Sequence, residues 1–339
     1  MKHKLFAGID WSNSKIDVCL FNHMGDTIKK DQISTKPEAL FSWVDSLCEQ
    51  LEEEETIAIC MEQPCQNLVN FFSQFPQLKI YLENPTVIKR YRESLSSSRA
   101  KDDKRDAAAI AQYIFERHKR LKIYQNNDPL CAQIATLGEK RRQLVGVRTS
   151  LSNKLTQALK EYFPQALELV GTNIYSKISC DFLTKWSSLQ ALQKARSSTI
   201  IKFYHMHNSR SKLRNEKRMQ LIATSIPMCT DNQAVETYQL LVESLVKAIR
   251  QIQTSINQFD EVIEEKITTH EDYEIYISLP GAGPCFAARL LAFMGSDRAN
   301  YADASELQKA SGVAPITKQS GKMHFVHRRY ACNKFDRQT

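Results

Sequence analysis

Four acidic residues of the sequence have the types and positions that could hold divalent metal ions. Asp10 ends the predicted strand KLFAGID, and Glu62 ends the buried strand predicted within TIAICMEQP. Asp103 and Asp106 are three residues apart, a spacing that makes side chains neighbours on a helix surface. Phosphoryl transfer by two metal ions needs several convergent carboxylates, because Mg²⁺ ions about 3.5 to 4 Å apart take oxygen ligands. These residues therefore predict a two-metal site for phosphoryl transfer.

Basic residues surround the second acidic pair. Positive side chains beside a metal site would hold the phosphate backbone on which the metals act. The residues with this predicted role are Arg90, Arg92, Arg99, Lys101, Lys104 and Arg105. A simpler interpretation stays open, in which Asp102 and Asp103 are first-turn acids favoured by the helix dipole and Asp106 forms an exposed ion pair.

The composition is that of a globular protein with an excess of positive charge. The 339 residues are 42% hydrophobic with a formal net charge of +8, which favours a polyanionic partner without requiring one. Nine cysteines form no CxxC pair and no zinc pattern with the eight histidines, which indicates a reducing compartment. The start MKHKLFAGID has too short an apolar run for a signal peptide or a membrane span, so we expect a cytoplasmic protein with no membrane partner.

The first segment, residues 1–125, reads as an α/β domain. KLFAGID and KIDVCLFN predict a hairpin around the polar turn WSNS. PEALFSWVDSLCEQL has helical spacing, while TIAICMEQP and LKIYLENP each predict a strand that ends in a polar residue and a proline. Strands that alternate with helices in this way predict a mixed sheet covered by helices on its faces.

The second segment, residues 126–270, contains two long helical patterns. They lie within LCAQIATLGEKRRQLVGVRTSLSNKLTQALKEYF and QAVETYQLLVESLVKAIRQIQTSINQFDEVIEEKI. With polar, basic sequence between them, they predict an extended, coiled-coil-like helical arm; a simple bundle or a dimer coiled coil stays an alternative. The first helix carries a basic surface that could face nucleic acid, formed by Arg141, Arg142, Arg148 and Lys154.

The third segment, residues 271–339, predicts a small α-rich domain. LPGAGPCFAARLL suggests a helix-hairpin-helix-like element, in which Gly281 and Gly283 would let backbone N–H groups approach a phosphate. An ordinary helix, turn and helix is the alternative. The tail that follows is rich in basic residues, among them Lys322, Arg328 and Arg329.

Several motifs together resemble one known family. GIDWSNSKIDVCL, MEQP, ENPTVIKRYRESLSSSRAKDDKRDAAAIA, LPGAGPCFAARLLAFMG and ASGVAPITKQSGK follow the order found in DEDD-type insertion-sequence transposases, whose relatives include site-specific DNA invertases. Most family members read Lys-Thr-Asp-x-x-Asp-Ala where this chain has KDDKRDA, which puts Asp102 at the threonine position. The resemblance implies a RuvC-type, RNase H-like first domain in which Asp10, Glu62, Asp103 and Asp106 ligate Mg²⁺ or Mn²⁺.

The resemblance also implies a serine nucleophile and nucleic-acid partners. The serine of the Ser-Gly pair after GVAP is Ser320, which would form a covalent phosphoserine link to DNA; Ser311 is the weaker candidate. Donor and target DNA would be partners, with a structured noncoding guide RNA, in a homo-oligomer such as a dimer or tetramer. The family match implies a transposase or recombinase of a mobile DNA element.

The end of the sequence departs from the family pattern. Family members usually continue with further helices, whereas this sequence stops at Thr339, and Asp336 stands where an apolar residue is expected. We therefore expect an incomplete C-terminal domain. Two alternative functions stay open: a metal-dependent, junction- or structure-selective nuclease that does not use Ser320, and a catalytically inactive nucleic-acid-binding protein.

Overall fold

The computed structural model describes residues 2–62, 66–95, 103–124, 128–295, 301–321 and 323–329, with the backbone alone for Lys2 and residues 103–105. It divides into two compact units, Met1–Asn126 and Asn127–Thr339. The predictions for Arg99, Lys101 and Lys322 lie outside the described residues, as do those for the side chains of Asp103, Lys104 and Arg105.

In the residues that the structure describes, the first unit contains a five-stranded sheet, four α-helices and a short 3₁₀ helix (His118–Arg120). The elements are β1 (Lys2–Trp11), β2 (Lys15–Asn22), β3 (Thr27–Ser34), α1 (Pro37–Cys48), β4 (Glu55–Glu62), α2 (Gln66–Phe72), β5 (Leu78–Glu83), α3 (Pro85–Leu95) and α4 (Asp103–Arg117). The strand order is β3-β2-β1-β4-β5, with β1 antiparallel to β2 and parallel to β4. This mixed sheet with helices is the architecture that the sequence predicts, and it is consistent with an RNase H-like fold.

The two faces of the sheet are covered by different helices. Residues such as Ile9 of β1 and Ile59 of β4 pack against α1 and α2 in one core. Phe6 and Cys60, on the opposite face of the same strands, pack against α3 and α4 in a second core. Because successive strand residues point to opposite faces, central strands covered on both sides need continuous apolar runs.

Helix α4 crosses β1 in close contact at Gly8. A Cβ at this position would stand 2.2 Å from the backbone N of Ala111 and 2.3 Å from the carbonyl O of Ala107. Earlier in β1 and later in α4, the rings of Phe6 and Phe115 meet with centroids 5.3 Å apart, so the two elements run in opposite directions. The start of α4 therefore lies at the carboxyl end of β1, where Asp10 stands.

His3 predicts a pH dependence of stability in this unit. Its ring is hydrogen-bonded to Thr56 Oγ1 and Tyr81 OH, and burial, followed by the charge of His118, lowers its pKa from 6.5 to about 4. In the unfolded chain, His3 therefore binds a proton below pH 6.5, whereas in the folded chain it binds one only below about pH 4. We expect this to remove about 3 kcal/mol of unfolding free energy between those limits. Denaturant titrations at several pH values should show that the unfolding free energy of His3→Gln falls less steeply between pH 6.5 and 4 than that of the unchanged protein. An equally steep fall in the two proteins would contradict this prediction.

The second unit is mostly helical. Its helices are α5 (Pro129–Tyr162), α6 (Gln165–Val170), α7 (Lys177–Lys185), α8 (Leu189–Gln193), α9 (Ser197–Met206), α10 (Lys212–Thr224), α11 (Asn232–Thr268), α12 (Tyr273–Ile277), α13 (Pro284–Met294) and α14 (Ala304–Ser311). Strands β6 (Ile316–Ser320) and β7 (Met323–His327) form an antiparallel hairpin. Helices α5 and α11 pack on each other along much of their length.

One sequence expectation for this unit needs correction. The segment between α5 and α11 is not a polar connection: its five helices enclose an apolar core with Phe182, Trp186 and Phe203 at its centre. The region predicted to be α-rich contains the β6–β7 hairpin in addition to α12, α13 and α14. Aromatic residues spread over several short helices have no strong periodicity in one window, which is why the sequence pattern missed this core.

The second and third predicted segments lie within this one unit. Helix α13 packs through Leu291 against Ile134 of α5 and Ile263 of α11. The division into three segments at 1–125, 126–270 and 271–339 stays a prediction. Within the described ranges, no helix has the combined length and apolarity that crossing a bilayer requires.

Candidate active site

Asp10 and Glu62 lie side by side at the carboxyl edge of the first unit's sheet. Strands β1 and β4 are parallel neighbours in a register that pairs Ile9 with Met61, so the next residues along are Asp10 and Glu62. Alternation places both on the face covered by α4, because Gly8 and Cys60, two residues earlier, lie on that face. Two acids that are 52 positions apart in the sequence thus become neighbours.

Two further acids, which the sequence analysis did not select, extend this pair into a row. Asp17 of β2 is the direct cross-strand partner of Asp10, and Glu83 of β5 is the partner of Glu62. We call Asp17, Asp10, Glu62 and Glu83 the acid row. A sequence signal for Glu83 existed, because LKIYLENP has the same strand, acid and proline pattern as the segment around Glu62; Asp17 lies inside its strand and has no such signal.

The outer members of the acid row have defined partners. Asp17 accepts a hydrogen bond from Gln32 Nε2 at 2.9 Å and stands 3.4 Å from Lys15 Nζ. Glu83 accepts the Tyr113 hydroxyl at 2.6 Å. After burial, the charges of Glu83 and Glu62 are the next causes that raise the pKa of the Cys60 thiol. The raised pKa of Cys60 is therefore due in part to the negative charge of the acid row on this face of the sheet.

Asp106 joins this edge from α4. One residue after it, Ala107 meets Gly8 of β1, and a helix rises about 1.5 Å per residue, so the first turn of α4 stands at the level of Asp10. Asp106 is 8% exposed and pairs with Arg92 Nη1 at 2.5 Å. The carboxylate of this pair is therefore buried, whereas Arg92 stays partly exposed, which corrects the simpler interpretation of an exposed Asp106. The contact with Arg92 is made to Oδ1 at ion-pair distance, without the geometry of a hydrogen bond.

The donor set at this edge has the chemistry of a divalent-metal site. Its ligand atoms are carboxylate oxygens, which hard divalent cations prefer, although among the described residues no three of these acids have ligand atoms within 4.8 Å of one another. Like charges in neighbouring strands repel each other, and a bound cation relieves that cost. Asp106, whose Oδ1 is paired with Arg92, adds a further carboxylate to this edge. Because strands are about 4.8 Å apart, the row is wide enough for more than one ion.

A second cluster in the described residues also has metal-ligand types, but its atoms already make other contacts. Ligand atoms of Asp128, Cys131 and His270 lie within 4.8 Å of one another. The Nδ1 atom of His270 accepts the backbone N–H of Asp272 at 3.0 Å, which leaves the ring proton of neutral His270 on Nε2, facing Cys131 Sγ at 3.5 Å. Asp128 caps α5 through the N–H of Cys131. These contacts indicate a structural cluster that joins α5 to the end of α11.

Ser320 lies at the tip of the β6–β7 hairpin. It pairs with Met323 across a turn that begins with Gly321, whose φ is +57°. Both strands are exposed over most of their residues, and Ser320 itself is exposed. Lys318, two residues earlier, points to the same side of β6. Arg328 follows the hairpin, and the Nε of Arg329 donates to the carbonyl of Ala314 at 3.1 Å.

The two glycines predicted to approach a phosphate lie between α12 and α13. Gly281 has a φ of +79°, and Gly283 is the N-cap of α13. A Cβ at either position would meet no atom within 4 Å, so the backbone is open to a ligand. However, Pro284 is the first residue of α13, which removes one N–H donor from the helix start.

The cations predicted on α5 are partly committed to internal contacts. Arg141 pairs with Asp260 of α11, and Arg142 donates to Glu139 at 2.7 Å and 2.9 Å. The guanidinium of Arg148 lies 3.9 Å from the centroid of the Tyr175 ring. Lys154 is exposed.

Comparison with known proteins identifies the class. A family model described as transposase, of the DEDD type of IS110, matches residues 7–164, and a second, described as transposase of the IS116/IS110/IS902 family, matches residues 273–337. The first range contains the four predicted metal ligands and the second contains Ser320. Both models describe transposases, which are enzymes that cut and rejoin DNA. The chain belongs to the IS110-type family of DEDD transposases.

Curated relatives support the same family. The protein named as the mini-circle transposase for IS117 of Streptomyces coelicolor is 26% identical over 339 residues, 97% of this chain and 80% of that protein. The uncharacterized 42 kDa protein of insertion element IS900 of Mycobacterium paratuberculosis is 28% identical over 66% of this chain and 55% of its own length. The uncharacterized 43.6 kDa protein of insertion element IS110 of Streptomyces coelicolor is 24% identical, and the match spans 60% of it.

Proposed function

We propose that this chain cuts and rejoins the DNA of an insertion element with divalent metal ions, Mg²⁺ or Mn²⁺, held by Asp10, Glu62, Asp103 and Asp106. The observation that carries the proposal is the adjacency of Asp10 and Glu62 at the edge where α4 begins. Asp103 is the first residue of α4 and lies one helical turn before Asp106. The bound cations would supply positive charge to the phosphate under attack.

The residues around this site would orient the DNA and hold the acids. Arg92 holds the carboxylate of Asp106 in place through their ion pair. Tyr113 fixes the carboxylate of Glu83 through a hydrogen bond of 2.6 Å. Glu83 is thus held beside Glu62 and adds to the negative potential that draws cations to the row. Lys104 and Arg105, in the first turn of α4, would contact the phosphate backbone.

We further propose that Ser320 is the nucleophile. Its Oγ would attack the DNA phosphorus as the hydroxyl proton leaves to solvent or to a base, and a deoxyribose oxygen would depart with the electron pair of the broken P–O bond. The phosphoserine ester then keeps the bond energy until a DNA hydroxyl attacks it and regenerates Ser320. Exposure at a hairpin tip gives the hydroxyl the access that such an attack requires.

Substitution of Ser320 tests this step. Ser320→Ala should leave no covalent protein–DNA product after denaturing electrophoresis, because the alanine lacks the attacking oxygen. Ser311→Ala is the matched control: the Ser311 hydroxyl donates to the carbonyl of Gln308 at the end of α14, and this variant should still form the product. A covalent product with Ser320→Ala would refute the assignment.

Two assays separate the proposed function from its alternatives. A metal-dependent nuclease would nick DNA as well in Ser320→Ala as in the unchanged protein. A catalytically inactive binding protein would hold DNA equally in Mg²⁺ and in EDTA and would cut none. The proposed transposase should lose cleavage in EDTA, and its Ser320→Ala variant should lose both cleavage and joining.

Nucleic-acid contacts outside the acid row complete the proposal. Arg142, Lys154, Gly281, Gly283 and Arg328 are accessible on the second unit and would contact DNA backbone or a noncoding guide RNA by charge and shape. We propose that the protein works in the cytoplasm as a homo-oligomer. Measuring molecular mass in solution, with and without RNA transcribed from beside the gene, tests both the oligomer and the guide.

A further inference from the structure

A cavity lies at the same sheet edge as Asp10 and Glu62, but on the opposite face. Trp11 follows Asp10 at the end of β1, so strand alternation turns its indole toward α1 and α2. The cavity is bounded by the turn after β1 and by the first turns of α1 and α2, and it has a volume of about 490 Å³. Sites for small organic ligands are of the order of 300 to 1,000 Å³.

The lining of this cavity is neutral. Three amide side chains, Asn13, Gln66 and Asn67, lie in it together with the indole of Trp11 and the ring of Phe71. Among the described residues that line it, none is charged. A phosphate needs cations or a cluster of N–H donors, and the acid row at the same edge repels anions. The part of a nucleic acid that suits this cavity is therefore a neutral base.

The geometry of Trp11 suits stacking. Its Nε1 donates to the carbonyl oxygen of Glu62 at 3.2 Å, which holds the ring between the ends of β1 and β4. The side chain remains partly exposed. Proteins hold an unpaired base by stacking it on an aromatic ring and by hydrogen bonds from amides to its edge. Asn and Gln match the donor and acceptor pairs of base edges especially well.

We propose that this cavity, which we call the base pocket, takes one unpaired nucleobase of the DNA strand whose phosphate lies at the acid row. The proposal rests on the proposed function for the identity of that strand. A nucleotide at the sheet edge would present its phosphate to Asp10 and Glu62 on one face and its base to Trp11 and Asn67 on the other. The pocket would thereby select the position of cleavage by requiring a base that leaves the duplex.

Tryptophan fluorescence gives a direct test. The chain has three tryptophans, and Trp43 and Trp186 are 7% and 4% exposed, so added DNA should change the emission of Trp11 most. In EDTA, a short single-stranded oligodeoxynucleotide should quench the emission, and an abasic backbone of the same length should not. Trp11→Phe should abolish the response. Asn67→Ala, at an exposed position, should weaken the affinity about tenfold because an amide contact is lost.

Gln74→Ala is the matched control for the amide. Gln74 is exposed just after α2 and does not line the pocket, so its replacement should leave the quenching curve unchanged. Equal quenching by the abasic backbone, or equal affinity of Asn67→Ala and the unchanged protein, would overturn the proposal. Because EDTA removes the metals, quenching without any cleavage in Mg²⁺ would support the pocket while refuting the proposed function. Cleavage in Mg²⁺ without base-dependent quenching would support the proposed function and refute the base pocket.

Discussion

Asp10→Asn is expected to lower metal-dependent DNA cleavage by at least about a thousandfold. A metal's stabilisation of the transition state is worth several kcal/mol, and each 1.36 kcal/mol corresponds to a factor of about ten in rate. Asp10 lies between Asp17 and Glu62 in the acid row, so its loss would weaken cation binding at the centre of the row. The measurement is the rate of strand cleavage at saturating Mg²⁺ and in a Mg²⁺ titration.

The control for Asp10→Asn is Asp31→Asn. Asp31 lies on β3 of the same sheet and pairs with Lys29 at 2.7 Å, so this variant makes the same change in charge away from the acid row and should cleave normally. The Asp10 variant should also keep its thermal midpoint in EDTA, because it removes a like charge opposite Asp17. Cleavage within about tenfold of the unchanged protein would show that Asp10 holds no essential metal.

Gly8→Ala is expected to destabilise the first unit by about 3 kcal/mol and to lower cleavage about a hundredfold. The added Cβ would meet the backbone of Ala107 and Ala111 at 2.2 to 2.3 Å, and backbone atoms cannot move aside as a flexible side chain can. Helix α4 must therefore shift away from β1, at the cost typical of overpacked cores. The same shift moves Asp106 from Asp10, and a displacement of about 1 Å is enough for a hundredfold loss.

Gly146→Ala provides the matched control for this substitution. Gly146 lies inside α5, and a Cβ there meets no atom within 4 Å. Since glycine costs a helix interior about 0.5 to 1 kcal/mol relative to alanine, this variant should be more stable than the unchanged protein. Denaturant unfolding curves measure both changes. A Gly8→Ala protein of unchanged stability would mean that α4 does not pack on β1 in this way.

The elements of the first unit follow from local patterns in the sequence. The apolar runs around Ala7 and Ile59 predict strands, and the helical spacing that ends near Leu51 predicts α1. Strand pairing does not follow from such patterns, because β1 and β4 are joined by hydrogen bonds between distant segments. Asp17 was missed for this reason: its role comes from standing opposite Asp10 in the register.

Packing decided other features that no single window of sequence contains. The burial of Asp106 depends on Gly8, which allows α4 to approach β1. The core around Phe182 joins side chains from several short helices, each too weakly patterned to reveal its partners. Similarly, the base pocket combines the end of β1 with the start of α2, across the sheet from the acid row.

By itself, the sequence determined the strands and long helices, the family and the acids Asp10, Glu62, Asp103 and Asp106 as candidates. These depend on the order and spacing of residue types, which local backbone geometry converts into secondary structure. The tertiary structure alone decided that Asp17 and Glu83 join Asp10 and Glu62 in one row, and that Arg92 pairs with the buried carboxylate of Asp106. Such neighbours are set by strand register and by close helix packing, which are properties of the folded chain as a whole.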